Sequence, residues 1–219
     1  MPEDQERREG VRAAVYFDGF NLYHPIHEMN EPFLKWTDLW AVSEAMCLPH
    51  ALRLVKVVFC TAVPDHLPES KARHITYNNV LTAKGVTVLK GHHVYDQTAR
   101  KYTEKQSDIN VALSLILDGV DDLYDWAFLV SADSDQAATA RVFSERFPTK
   151  NLVSVAPPTK TPPQKSLPYS HKHFTLSKEM IEAAVMPAIV PTPRGSFIRR
   201  PEAYKPPEWW MHPKDRPKK

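Results

Sequence analysis

Cysteines and long apolar runs are what this sequence has least of. Its 219 residues include two cysteines, Cys47 and Cys60, too few for a thiolate zinc cage or a disulfide framework. Cys60 lies inside the apolar run VVFCTA, where a buried, inert thiol is expected. No window approaches the roughly 18 to 20 apolar residues of a membrane span, and the first ten residues, MPEDQERREG, are charged where a secretory signal would be apolar. These absences lead us to expect a soluble, cytoplasmic protein with no membrane partner. The length suits one sizeable core better than two.

Charge is present but uneven. A formal net charge of +2 conceals an acidic body, with 20 Lys and Arg against 23 Asp and Glu over residues 1–186, and a basic end, with 8 against 3 over residues 187–219. The expected organisation is a charged tail over residues 1–11, a folded domain over 12–186, and a Pro-rich basic tail over 187–219.

Within the body, short β-rich runs alternate with helix-length segments. RAAVYF (12–17), LRLVKVVFCTA (52–62), VTVLKG (86–91), WAFLVS (126–131) and NLVSVA (151–156) are strand candidates. Between them lie Thr37 to about Met46, with Thr37 as N-cap, Pro68 to about Lys84, Ser107 to about Leu117, and Asp135 to about Phe147. Alternation of this kind favours an α/β fold, a parallel sheet of about five strands with helices on both faces. Ligands of such sheets bind beyond the carboxyl ends of the strands, where the strand order reverses.

Acidic residues stand at two of those strand ends. The first strand runs into Asp18-Gly19-Phe20-Asn21 and the fourth into Ser131-Ala132-Asp133-Ser134-Asp135. Each acid alone reads as a cap or turn residue. If the two strands are neighbours, however, their carboxylates crowd together and raise one another's pKa unless a cation neutralises them. Hard oxygen donors suit Mg2+ or Mn2+ rather than zinc. Asp108 adds a third acid at the start of the helix VALSLILDGV. Asp118, about 15 Å further along that helix, is expected to be remote and, with Asp121, Asp122 and Asp125, to form a solvated connection.

VYFDGFNLYH (15–24), TEKQSDINVALSLILDGVDDLYDWAFLVSADSDQAATA (103–140) and FPTKNLVSVAPPTK (147–160) together resemble the NYN family of PIN-like domains. The resemblance implies a Rossmann-like sheet of order 3-2-1-4-5 and a metal-dependent site acting on RNA. Asp18 and Asn21 match the family's D-G-x-N, Lys105 and Asp108 its E-K-x-x-D, and Asp133 and Asp135 its S-G-D-S-D. On this reading Asp18, Asp108, Asp133 and Asp135 hold Mg2+ or Mn2+, while Asn21, Lys105 and Ser131 contact the substrate.

Three positions depart from the pattern. Ala132 replaces a glycine, Gln136 stands where an apolar residue is common, and Ser114 occupies a position that carries a further acid in other branches. The alternative function is a binding or scaffolding module of the same fold without turnover. A haloacid-dehalogenase-like phosphatase is disfavoured because Phe20 stands where its second Asp would be.

Other features are weaker. His92 and His93, adjacent on a strand, point to opposite faces and are poorly placed to chelate one ion. Arg100, Lys101 and Tyr102 form a basic-aromatic segment suited to gripping a nucleic-acid strand. The tail is too rich in proline for helix or sheet interior and is expected to run extended. Trp209-Trp210 either stacks on bases or anchors the tail on its own body or on a partner subunit, with docking preferred.

Overall fold

The structure is a computed structural model that describes residues 10–97 and 100–217. Its strands in chain order are β1 (Arg12–Asp18), β2 (Arg53–Ala62), β3 (Thr87–Asp96), β4 (Lys101–Lys105), β5 (Trp126–Val130), β6 (Asn151–Ala156), β7 (Lys172–Thr175), β8 (Ile189–Pro191) and β9 (Phe197–Arg199). The α-helices are α1 (Gly19–Glu28), α2 (Leu39–Cys47), α3 (Pro68–Ala83), α4 (Ser107–Val120), α5 (Ala137–Arg146) and α6 (Lys178–Ala183).

β1 organises the sheet. Its side chains alternate between two apolar layers, Ala13, Val15 and Phe17 entering one and Ala14 and Tyr16 the other. A strand that is hydrophobic on both faces belongs in the middle of a covered parallel sheet. β1 pairs in parallel with β2 on one side and β5 on the other. Among the described residues the sheet has seven strands in the order β4-β3-β2-β1-β5-β6-β7, parallel except for the β3–β4 pair. The expectation of about five strands is thereby corrected. β4 and β7 form the two edges, and their sequences, KYTEK and KHFT, carry the polar residues of edge strands rather than an apolar run.

Helices cover both faces. Leu22 and Ile26 of α1, Leu39, Val42 and Met46 of α2, Leu81 of α3 and Ile181 of α6 fill one layer. Val111 and Leu115 of α4 with Ala140 and Phe143 of α5 fill the other. α1 was not expected, because Asp18-Gly19 reads as a turn and Pro25 disfavours a helix interior. Burial of Leu22 and Ile26, one turn apart, prevails over these local signals. Gly19 is required for space: a Cβ there would stand 2.6 Å from the backbone oxygen of Cys60 on β2. At α2 the cap is Asp38, which accepts from the amides of Trp40 and Ala41. Thr37, the expected cap, is buried and donates instead to the Ile181 carbonyl at 2.9 Å.

The tail departs from a fully extended course. β8 and β9 form an antiparallel hairpin, which tolerates Pro191 because a two-stranded ribbon has only edges. Val190 and Tyr204 pack with Trp36 and Met186 in a third apolar cluster. The Trp210 indole lies 4.9 Å from the Phe33 ring and donates to Glu182 Oε1 at 2.6 Å, while the neighbouring Trp209 is exposed. Arg216 pairs with the same Glu182 carboxylate. Loss of the Trp210 anchor is expected to cost the tail on the order of 1–2 kcal/mol of local docking energy. In Trp210→Ala, limited trypsin digestion should therefore cut at Lys214, whose following residue is Asp215 and not proline, about tenfold faster; Trp209→Ala should leave that rate unchanged.

Among the described residues no helix is long and apolar enough to cross a membrane. Cys47 and Cys60 are free and buried.

Candidate acidic site

The strand order reverses between β1 and β5, and the expected acids gather at their carboxyl ends. Phe17 is in register with Val130, so Asp18 and Ser131 emerge side by side. Asp18 is only 2% exposed. Its Oδ1 accepts from the Asn21 amide at 3.1 Å, and its Oδ2 accepts from Asn21 Nδ2 at 2.8 Å and from the Ser131 hydroxyl at 3.0 Å. Burial raises the Asp18 pKa, the hydrogen bonds from Asn21 and Ser131 oppose the rise, and the charge of Asp133 adds to it.

The loop after β5 is tied to the same carboxylate. The Asp133 amide donates to Ser131 Oγ at 3.1 Å, and Asp133 Oδ1 accepts from the Asp135 amide at 2.9 Å, capping the 3₁₀ turn Ser134–Gln136. Ser131 therefore links loop to acid. Its hydroxyl is committed to Asp18 and acts by positioning it. Ala132 does not take a left-handed conformation, so its methyl group causes no backbone strain.

Asp108 projects into solvent from the first turn of α4. Gln136, one of the departures from the family pattern, explains how that turn is held: its Nε2 donates to the Asp108 carbonyl at 3.1 Å, and its Oε1 accepts from Thr139 at 2.8 Å. A buried amide here does what an apolar side chain could not, fastening the start of α4 to the acidic loop. Ser114 is half-buried on α4 and does not line the cleft.

Asp18, Asn21, Lys105, Asp108, Asp133 and Asp135 all border one open cleft of about 860 Å3. Four further residues on its walls lie outside the expected site. Glu104 accepts from the Ser107 amide at 3.0 Å. His92 and His93, expected to diverge, both border the cleft because β3 continues past the parallel sheet into its hairpin with β4. Tyr102 on β4 stacks flat on His66 with ring centroids 3.8 Å apart. Only an appreciation of the hairpin could have exposed these positions, since KYTEK gives a weak strand signal. Arg100 is exposed in the hairpin turn; the Lys101 side chain lies outside the described residues.

Asp118 is corrected. It is buried, accepts from the Tyr16 hydroxyl at 2.8 Å and pairs with Lys56 Nζ at 2.7 Å. Asp122 and Asp125 hold Arg12; hydrogen bonds from Lys150 and then Arg12 keep the Asp122 carboxyl below its usual range, and the hydrogen bond from Arg12 does the same for Asp125.

The donors fit a hard divalent cation in kind: carboxylate oxygens around a buried acid whose charge is disfavoured by burial and by a neighbouring carboxylate. Their spacing is a different matter. Among the described residues, no three His, Cys, Asp or Glu side chains stand close enough to hold a metal ion. Asp108 and Asp135 are exposed, and their rotamers are free to turn.

No family model matches the chain. It is 23% identical, over 94% of its length and 77% of the relative's, to 6-hydroxy-3-succinoylpyridine 3-monooxygenase HspA of Pseudomonas putida. Its fold is similar to that in the crystal structure of a Vibrio parahaemolyticus protein of unknown function, with a TM-score of 0.56, 14% identity, and coverage of 77% of this chain and 94% of that one. The likeness to the Vibrio protein is one of fold, over most of both chains.

Proposed function

We propose that this protein is a metal-dependent ribonuclease of the NYN type, hydrolysing RNA phosphodiester bonds with Mg2+ or Mn2+. The observation that carries the reading is the buried Asp18 carboxylate, held by Asn21 and Ser131 at the reversal point of the sheet in the same cleft as Asp108, Asp133 and Asp135. A site for polyanion binding alone would gain nothing from clustered carboxylates.

Asp18, Asp108 and Asp133 would hold the ion. A divalent cation bound there supplies a lowered pKa for water and neutralises charge on the phosphoryl oxygens. The chain's own groups do the rest. Asn21 and Ser131 fix the Asp18 carboxylate, and Asp135, exposed at the mouth, accepts a proton from water. Lys105, exposed on the rim, takes a phosphate, and the Tyr102–His66 stack offers an aromatic face to a base.

The test uses structured and single-stranded RNA with purified protein in Mn2+, Mg2+ or EDTA. Cleavage in either metal that EDTA abolishes is the expected result. RNA that is bound but left intact in both metals would favour a binding module instead. The name of the Pseudomonas relative motivates a second reading, oxygenation of a pyridine. Hydroxylation of 6-hydroxy-3-succinoylpyridine in the presence of dioxygen and an electron donor, with RNA untouched, would replace the nuclease assignment.

A further inference from the structure

α4 is apolar on two opposite faces. Val111 and Leu115 point into the sheet layer. Across the helix, Ile109, Leu113, Leu117 and Val120 are 55%, 54%, 57% and 56% exposed. At 3.6 residues per turn, their 4-4-3 spacing keeps them in one continuous stripe facing away from the body. In the sequence SDINVALSLILDGV, Asp108 and Asp118 are the only charged residues, and Asp118 is buried beneath the helix. A helix hydrophobic all round is normally covered on both sides.

We propose that this stripe is the interface of a homodimer in which α4 packs antiparallel on α4 of a second copy. Two features select a second copy over another partner. The stripe carries no charge, so it has no electrostatic means of choosing an acidic or basic ligand. It is also a palindrome in shape, with β-branched residues at its ends and leucines between them. Reversal about a two-fold axis between Leu113 and Leu117 sets Ile109 against Val120 of the other copy and Leu113 against its Leu117, the reciprocal pairing an isologous interface requires. The four side chains offer on the order of 400 Å2 of apolar surface, about half of the ~800 Å2 each partner contributes to a standard interface. Half-buried Ala112 and Ile116 flank them. Ile109 also borders the acidic cleft, so the second copy would extend one wall of it.

Sedimentation velocity on the full chain across micromolar concentrations should give twice the 25.0 kDa chain mass. Leu113→Glu/Leu117→Glu, which would bury unpaired charges in the interface, should raise the dissociation midpoint at least ~100-fold without changing the circular dichroism spectrum. If that variant does not fold, Ile109→Cys/Val120→Cys decides. Under mild oxidation the antiparallel pair gives a 109-to-120 disulfide between copies, and the buried Cys47 and Cys60 do not compete. A monomeric wild type, a dimer that the glutamates leave intact, or disulfides joining only like positions would overturn the proposal.

Discussion

Asp133→Asn protein is expected to melt close to the parent temperature yet to lose at least on the order of a hundredfold of its Mn2+-dependent RNA cleavage. The amide retains an oxygen to accept from the Asp135 N–H, so the 3₁₀ turn keeps its cap; only the charge is gone. Asp18→Asn should lose activity at least as severely, and it carries a second signature. Because burial raises the Asp18 pKa, the folded state binds its proton more tightly than the unfolded state. Between the ordinary carboxylate value of about 4 and the raised folded value, stability therefore falls as pH rises. Below both values that contribution is fully present. Melting temperatures of metal-free protein from acid to neutral pH should show the parent declining over this window and Asp18→Asn declining less. Identical profiles would mean that the buried carboxylate is not under the strain its surroundings imply, and Asp133→Asn protein that cleaves at the parent rate would remove the acidic site from the chemistry.

The contrast between these acids also shows what sequence can carry. β1, β2, β5 and β6 were legible because buried parallel strands are nearly continuous apolar runs, and α3 because Pro68 at its first position marks a start. The acids at the ends of β1 and β5 were legible for the same reason: an apolar run that stops in a carboxylate is conspicuous. α1 was not, since the residue that caps it also reads as the beginning of a turn. Gln136 stood out only as an oddity, because its partners, the Asp108 carbonyl and Thr139, lie on two different helices. Asp118 was misjudged because a string of aspartates looks solvated. Nothing local in the sequence tells Asp118 from Asp121 or Asp122, and the cation that neutralises it lies 62 residues away.

That cation supports the second large expectation. Lys56→Met should destabilise the protein by about 2–3 kcal/mol in urea unfolding, because the Asp118 side chain, 13% exposed, would keep its charge and lose its counterion. The figure lies below the roughly 3–5 kcal/mol of a fully buried pair because the Lys56 side chain is 28% exposed. Adding Asp118→Leu should recover most of the loss, since an apolar pair of similar volume needs no desolvated charge. What remains should be near 1 kcal/mol, the acceptor lost by the Tyr16 hydroxyl, and Tyr16→Phe in the same background should remove that too. A Lys56→Met protein as stable as the parent would show that water reaches Asp118.

The hydrogen bond between Ser131 and Asp18 joins residues 113 apart in the chain. β1 therefore leaves the ribosome long before its second neighbour, β5, and contacts of such range slow folding of the sheet. Until the loop after β5 has been synthesised, Asp18 has neither the Ser131 hydroxyl nor the Asp133 loop beside it. On the proposed chemistry, a nascent chain cannot cut the message that encodes it until well over half of its length has emerged.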